Sequence, residues 1–306
     1  MKSTREIRHA VEYAAVRGAL GVAGALPPRI THAIGASAGW LAYVLGIRRD
    51  VSVDNIMRAL SVPEKEAKRI ARRSYQNLGR GMMDFAAFGN WSRDELLAQV
   101  TVDGIENLTA AREAGRGGVI VAGHFGSWEF GGVIIPALGF PASVIVGEQT
   151  NARVDDVMNN LRRVHDLGLI TKTSALKKAL TTLRNNEFVA LLADQDARKG
   201  GVIVDFLGRP ASTVRGPALF AIRARCPVIP LTVHREGNRH RAIFARPLWP
   251  DPAQDEEASV LALTRYYTDE LSRRIREHPD QYFWPHRRWK TGAAQVTKEQ
   301  ALTAKS

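Results

Sequence analysis

The sequence predicts an α/β fold with a largely parallel central sheet flanked by helices, preceded by an N-terminal helical region that associates with a membrane surface. Three observations carry that expectation. From Gly117 onward, short apolar runs alternate with amphipathic stretches, the pattern of buried parallel strands joined by crossover helices. Before residue 98, apolar positions recur at helical spacing with few β-branched alternations. The 306 residues are 45% hydrophobic and 24% charged, the composition of an ordinary folded protein able to bury a sizeable core.

Taken in order, residues 1–98 read as helices separated by Pro27-Pro28 and Pro63. Glu6, Glu12 and Arg17 interrupt the apolar run that a cleavable signal peptide needs. Between Ile30 and Ile47 there is no Asp, Glu, Lys or Arg, and Arg29 and Arg48-Arg49 flank the stretch. Thr31, His32, Ser37, Gly35 and Gly39 dilute its apolarity, while Trp40 and Tyr43 suit the headgroup level, so a helix lying in or dipping into one leaflet is expected. A core helix of a soluble domain is the alternative reading. Ser61-Val62-Pro63-Glu64 reads as a helix start with Ser61 as N-cap. The following Lys65, Lys68, Arg69, Arg72 and Arg73 are either a solvated face or a grip for lipid phosphates.

The strand candidates are Val119–Ala122, Ser143–Val146, Phe188–Leu192 and Val228–Val233, with helices near 127–138, 152–167, 175–185 and 214–225 between them. His240–Leu248 adds a strand paired with 228–234, and Ser259–Glu277 a long helix. The α/β domain is expected over 99–290, and a disordered tail over 291–306.

Charge narrows the function classes. The net charge of +12 and a pI near 10.2 favour an acidic partner surface, and the mean hydropathy of −0.19 excludes a polytopic protein. A single cysteine, Cys226, excludes an intrachain disulfide and a multi-cysteine metal site, and its neighbours mark it as a packed residue.

The strongest local feature is Gly123-His124-Phe125-Gly126-Ser127-Trp128-Glu129, directly after a buried strand and opening a helix, at the strand edge where α/β sheets gather ligands. A loop His and a first-turn carboxylate meet across that turn. Glu129 would then hold one imidazole nitrogen of His124 while the other takes a proton from a substrate hydroxyl. Ser127 is not in a nucleophile elbow, so the substrate hydroxyl is the better nucleophile. Two ligands at this spacing make a poor zinc clamp, and neither metal nor cofactor is expected. Asp194 and Asp196 follow another buried strand, where they order a basic residue or the acceptor headgroup, or else cap a turn. Arg215, in Ser212-Thr213-Val214-Arg215-Gly216-Pro217, reads as a cation at a helix start that forms an anion cradle. His9, His32, His165, His234, His240 and His278 have no carboxylate or cysteine partner at ligand spacing.

These blocks together resemble the late acyltransferases of lipid A biosynthesis, within the lysophospholipid and glycerophosphate acyltransferase superfamily. The core of the resemblance is the His-x4-Asp/Glu motif, here His124 to Glu129 within Val121–Glu129. It is supported by Leu192–Asp196, by Phe206–Ala211 with Gly216, by Asp54-Asn55-Ile56, and by Asp280–Lys290. The resemblance implies a glycerophosphate acyltransferase-like fold and transfer of a fatty acyl chain from acyl carrier protein or acyl-CoA to a hydroxyl of a membrane lipid, most of all a lipid A precursor. The site would lie at the cytoplasmic face of the bacterial inner membrane. His124 would be the general base and Glu129 its orienting carboxylate. Backbone N–H groups of Gly126 and Ser127 are candidate oxyanion donors. Arg163, or Arg162 beside it, would bind lipid or carrier phosphate. The cluster Tyr282–Lys290 would pack against the domain and the membrane interface with its cations near phosphates. A lysophospholipid, a glycosylated phosphoinositide or an aminolipid is the rival acceptor. A non-catalytic basic protein on membrane or nucleic acid would explain the charge but leave the His124/Glu129 pair without purpose, and no nucleic acid is expected.

Overall fold

The structure is a computed structural model and describes residues 4–292; the tail expected from Thr291 onward therefore lies, beyond Gly292, outside the described residues. In chain order the elements are α1 (Thr4–Ala25), α2 (Pro28–Val44), α3 (Arg49–Leu60), α4 (Glu64–Ala87), α5 (Arg93–Ala98), β1 (Val100–Asp103), α6 (Ile105–Glu113), β2 (Gly118–Ala122), α7 (Trp128–Ala137), β3 (Ala142–Val146), α8 (Ala152–Arg163), β4 (Gly168–Thr171), α9 (Ala175–Arg184), β5 (Phe188–Leu192), β6 (Val202–Phe206), β7 (Arg209–Thr213), α10 (Gly216–Ala224), β8 (Val228–Glu236), β9 (Arg239–Phe244) and α11 (Glu256–Glu277).

Seven strands form one sheet in the order β1-β9-β8-β2-β5-β3-β4. Every neighbouring pair is parallel except the β8–β9 hairpin. The expected α/β architecture with a largely parallel sheet is thus present. Strand β2 explains why its sequence is continuously apolar: Ile120 enters the core cluster on one face with Phe130, Ile134 and Leu231, while Val119 and Val121 enter the cluster on the other with Ala221, Val260 and Leu263. Cys226 is fully buried there, and burial pushes its thiol up to about 12.

Three elements lacked a legible signal. Strands β1 and β4 are the two sheet edges, four residues each and half-solvated, so they carry no continuous apolar run. The β6–β7 hairpin stands outside the main sheet and contains Pro210. Ser61 is not the N-cap of α4. It closes α3 in the left-handed region at φ 53°, and Pro63 precedes the first residue of α4.

Helices α2 and α4 cross through glycine. A Cβ on Gly79 would collide with the Gly35 carbonyl, and one on Gly39 with the Tyr75 carbonyl. Helices α3 and α4 also pack against the loop after β2 and the segment after α11 through a core of Ile56, Ile70, Phe125, Tyr282 and Trp284. Among the described residues no single helix is long and apolar enough to cross a membrane. The pair Pro28–Val44 and Arg49–Leu60 passes that length and composition test together, bent by 92°.

Candidate active site

The site follows from register. Strands β2 and β5 pair in parallel with Ala122 opposite Leu192, and the Ala193 amide continues the ladder by donating to the Ala122 carbonyl at 3.0 Å. Two residues past each strand end stand His124 and Asp194. Equal offsets from an in-register pair place them side by side at the sheet's carboxyl edge. The Asp194 carboxylate accepts twice from His124, from the backbone N–H at 2.9 Å and at Nδ1 at 2.7 Å.

The carboxylate that holds His124 is therefore Asp194, not Glu129. Both Glu129 oxygens are taken by Arg162 at the end of α8, with Nε at 2.9 Å and Nη2 at 2.6 Å. Helix α7 turns the Glu129 side chain toward α8 rather than back over its own N-terminal loop, and a forked guanidinium outcompetes an imidazole for both oxygens. Glu129 still acts on His124 through its charge. Burial alone would lower the imidazole pKa, but the charge and hydrogen bond of Asp194, with the Glu129 charge, outweigh it and hold it above its ordinary value. Burial would raise the Asp194 carboxyl, and the His124 charge and hydrogen bonds reverse this, leaving it at about 2.

The backbone donors expected at Gly126 and Ser127 are spent. Gly126 N–H donates to the Gln281 carbonyl at 2.7 Å and Ser127 N–H to the Val233 carbonyl at 3.0 Å. Gly126 has φ +57°, and a Cβ there would strike the Val233 carbonyl, so only glycine permits this docking of loop on sheet. The amides of Trp128 and Glu129, in the first turn of α7, have no intrahelical acceptor.

The remaining expected residues divide. Asp196 donates its backbone N–H to His286 Nε2 at 3.0 Å, and its side chain accepts from the Thr291 hydroxyl at 2.8 Å, so it fastens the C-terminal segment. Arg163 faces solvent with Asn160, one residue past the guanidinium that points inward. Arg215 is bound by both oxygens of Glu257 at the start of α11 and does not line the cavity beside His124. Arg288, expected near phosphates, is 1% exposed and donates to the Ser212 carbonyl and the Thr213 hydroxyl, with Trp284 and Trp289 buried beside it. His32 and His240, without local partners in the sequence, converge on Asp84 of α4.

Outside the His124/Asp194 pair lies a cavity of about 470 Å³. Its lining combines the polar side chains of His124, Glu129, Arg162, Lys172 and Gln195 with the apolar surface of Val144, Met158 and Leu167. The Trp128 and Phe283 rings flank the imidazole, with centroids 5.2 and 6.0 Å away, and Gln195 Nε2 stands 3.4 Å from His124 Nε2. Lys172 was missed in the sequence because no motif marks it, and Gln195 drew no role although it lies within the Leu192–Asp196 block.

The model of the family described as "Bacterial lipid A biosynthesis acyltransferase" matches residues 1–291. The chain belongs to that family. Among curated proteins it is similar to a lipid A biosynthesis palmitoleoyltransferase of Escherichia coli K12, 23% identical over 273 residues and 87% of each chain. A lauroyltransferase of the same organism is 22% identical over 284 residues and 90% of each. A phosphatidylinositol mannoside acyltransferase of Mycobacterium tuberculosis is 26% identical over 244 residues, 77% of this chain and 75% of that one. A solved 1-acyl-sn-glycerophosphate acyltransferase from Thermotoga maritima aligns with 84% of this chain and 99% of its own at 17% identity, with a TM-score of 0.40. As a member of the lipid A acyltransferase family the protein is an acyltransferase.

Within this acyltransferase the Glu129–Arg162 pair is mostly buried, with side chains 16% and 10% exposed. Removing one partner strands the other's charge, so Glu129→Ala and Arg162→Ala are each expected to cost about 2–4 kcal/mol, less than a fully buried pair because some solvent remains. The double variant is expected to lose less than the two single losses added together. Urea midpoints of the three proteins check this, and simple additivity would sink it.

Proposed function

We propose that the protein moves a fatty acyl chain from an acyl thioester, carried by acyl carrier protein or CoA, to a hydroxyl of a lipid A precursor at the cytoplasmic face of the inner membrane. The observation that carries this reading is the pairing of His124 Nδ1 with the buried Asp194, which leaves Nε2 for a cavity that His124 itself lines together with both polar and apolar side chains. Asp194 accepts a hydrogen bond from the Nδ1–H and so leaves Nε2 unprotonated to act as a base. Nε2 takes the proton of the acceptor hydroxyl, and that oxygen attacks the thioester carbonyl. The resulting tetrahedral oxyanion is met by the free Trp128 and Glu129 amides at the N-terminus of α7. When it collapses, the carbon–sulfur bond breaks, and the departing thiolate takes the proton back from Nε2. An ester and a free thiol result, and no group on the protein is acylated.

Lys172, exposed on the cavity lining, suits the phosphates of a lipid headgroup or of the donor's carrier arm, whereas the Arg162 guanidinium is already bound by Glu129 and Asn159. Association with a bilayer is supported by α1 and α2, which expose Ile7, Val11, Ile30, Ile34, Trp40, Leu41 and Val44. The similarity to phosphatidylinositol mannoside acyltransferases favours a second acceptor, a mannosylated phosphoinositide, for the same chemistry.

The test is mass spectrometry of total lipids from hosts making the wild type or His124→Ala. A mass increment of one acyl chain on lipid A, absent with the variant, is the expected result. The increment on a phosphoinositide or phospholipid instead would replace the acceptor. No increment on any lipid would sink the reading.

A further inference from the structure

A second cavity, of about 580 Å³, lies between α1, α2 and α4. Its walls include Ala15 and Ala19 of α1, Ala38 of α2, and Leu78 and Met82 of α4. The small residues on α1 and α2 leave it hollow. The polar groups on its lining are already engaged: the Tyr75 hydroxyl donates to the Ile47 carbonyl at 2.5 Å, and Arg48 donates to the Pro285 carbonyl at 2.9 Å. Apart from the exposed Arg48 and the Tyr75 hydroxyl its lining is apolar, so the space suits a hydrocarbon chain.

Its two ends point to which chain. On one side, Met82, itself 38% exposed, lines both this cavity and the one beside His124, and Phe283 lines it with its ring centroid 6.0 Å from that of the imidazole. At the outer end, Ile34 and Ile47 line it and are 42% and 56% exposed, on an apolar surface continued by Ile30, Leu41 and Val44. An acceptor that stays in the bilayer can slide a chain in from that surface without crossing water. The donor arrives on a water-soluble carrier, and the His124 cavity has Lys172 and Gln195 for its thioester arm and the apolar surface of Val144, Met158 and Leu167 for its acyl chain.

We propose that the cavity between α1, α2 and α4 holds one aliphatic chain of the lipid acceptor, so that two chains approach His124 from separate cavities that meet at Met82. This rests on acyl transfer to a lipid acceptor, the function proposed above.

Ala38→Phe and Ala19→Phe each fill the cavity with a residue that a helix accommodates, and neither touches the catalytic groups. The assay uses full-length protein in mixed micelles with a lipid A precursor and, in parallel, a phosphatidylinositol mannoside, across donors of graded chain length. Each methylene kept out of the cavity weakens binding by a factor of about four. The KM for the acylated acceptor is therefore expected to rise at least about tenfold in both variants, with kcat and the donor chain-length profile unchanged and circular dichroism like the wild type. A variant profile shifted toward shorter donors, with acceptor KM unchanged, would assign the cavity to the donor and overturn the proposal. Unchanged kinetics in both folded variants would overturn it too. Failure of the wild type to acylate either lipid would instead remove the acceptor reading itself, and this assignment with it.

Discussion

Asp194→Asn is expected to lower kcat for acyl transfer by roughly 10²- to 10⁴-fold with little change in KM. The asparagine oxygen keeps the contact with the His124 backbone N–H, and its NH2 group then faces Nδ1. That donor selects the imidazole tautomer protonated at Nε2, which cannot take a proton from the acceptor hydroxyl. The pH profile carries the same signature. A general base works unprotonated, so wild-type kcat/KM rises with pH through a His124 pKa held above the ordinary 6.5. Without the Asp194 charge, burial, the largest influence, outweighs the Glu129 charge that still opposes it, and the ascending limb moves to lower pH while the plateau falls. Stability follows by linkage. The lowered Asp194 pKa contributes above 3.8, a contribution lost as pH falls toward 2, and the raised His124 pKa contributes below 6.5, a contribution lost as pH rises through the folded value. The cost of the substitution is therefore greatest between those two values. A variant with wild-type kcat and an unmoved limb would exclude Asp194 as the partner of the base.

Asp84→Ala is expected to be the most destabilising single substitution in the N-terminal half, costing roughly 3–5 kcal/mol. Asp84 of α4 is 3% exposed and binds His32 of α2 at 2.6 Å and Arg235 of β8, while His240 of β9 stands 3.2 Å away. Without the carboxylate, Arg235 keeps a buried charge with no counterion, and α2 loses its polar tie to the sheet. Burial alone would raise the Asp84 carboxyl, but the two histidines and Arg235 reverse this and hold it well below the usual range. The contribution is thus present above 3.8 and is lost as pH falls through the depressed folded value. Urea unfolding of wild type and variant should differ most at neutral pH and converge in strong acid. Equal midpoints at neutral pH would show that the cluster contributes nothing net.

Much of the architecture was legible because it rests on patterns a few residues long. The buried strands β2, β3, β5 and β8 announce themselves as uncharged apolar runs, and α7 through α10 as the amphipathic stretches between them. His124 stood out for a local reason as well, a titratable residue in a glycine-flanked loop directly after a buried strand. Its partner did not. Asp194 lies 70 residues away, and a carboxylate five residues on, at Glu129, offered a nearer solution. Had the parallel pairing of β2 with β5 been assumed, the equal offsets of His124 and Asp194 from their strand ends would have found it. The same holds for Asp84, whose partners come from α2, β8 and β9, and for Arg288, whose charge among surface-like neighbours gave no sign of burial.

What the chain alone determined is the class: a largely parallel α/β domain behind apolar and basic helices, with a histidine at one strand end inside a motif that resembles the acyltransferase family's. Hydrophobic periodicity and turn chemistry are local, so they survive in one dimension. Only the tertiary structure decided which carboxylate holds His124, which amides at the start of α7 are left without an intrahelical partner, and that two cavities share Met82. Each depends on strand register and on the rotation of α7, α2 and α4 about their axes. Those are set by packing summed over the whole core, and a shift of one residue in register would exchange the residues facing the site for those facing away.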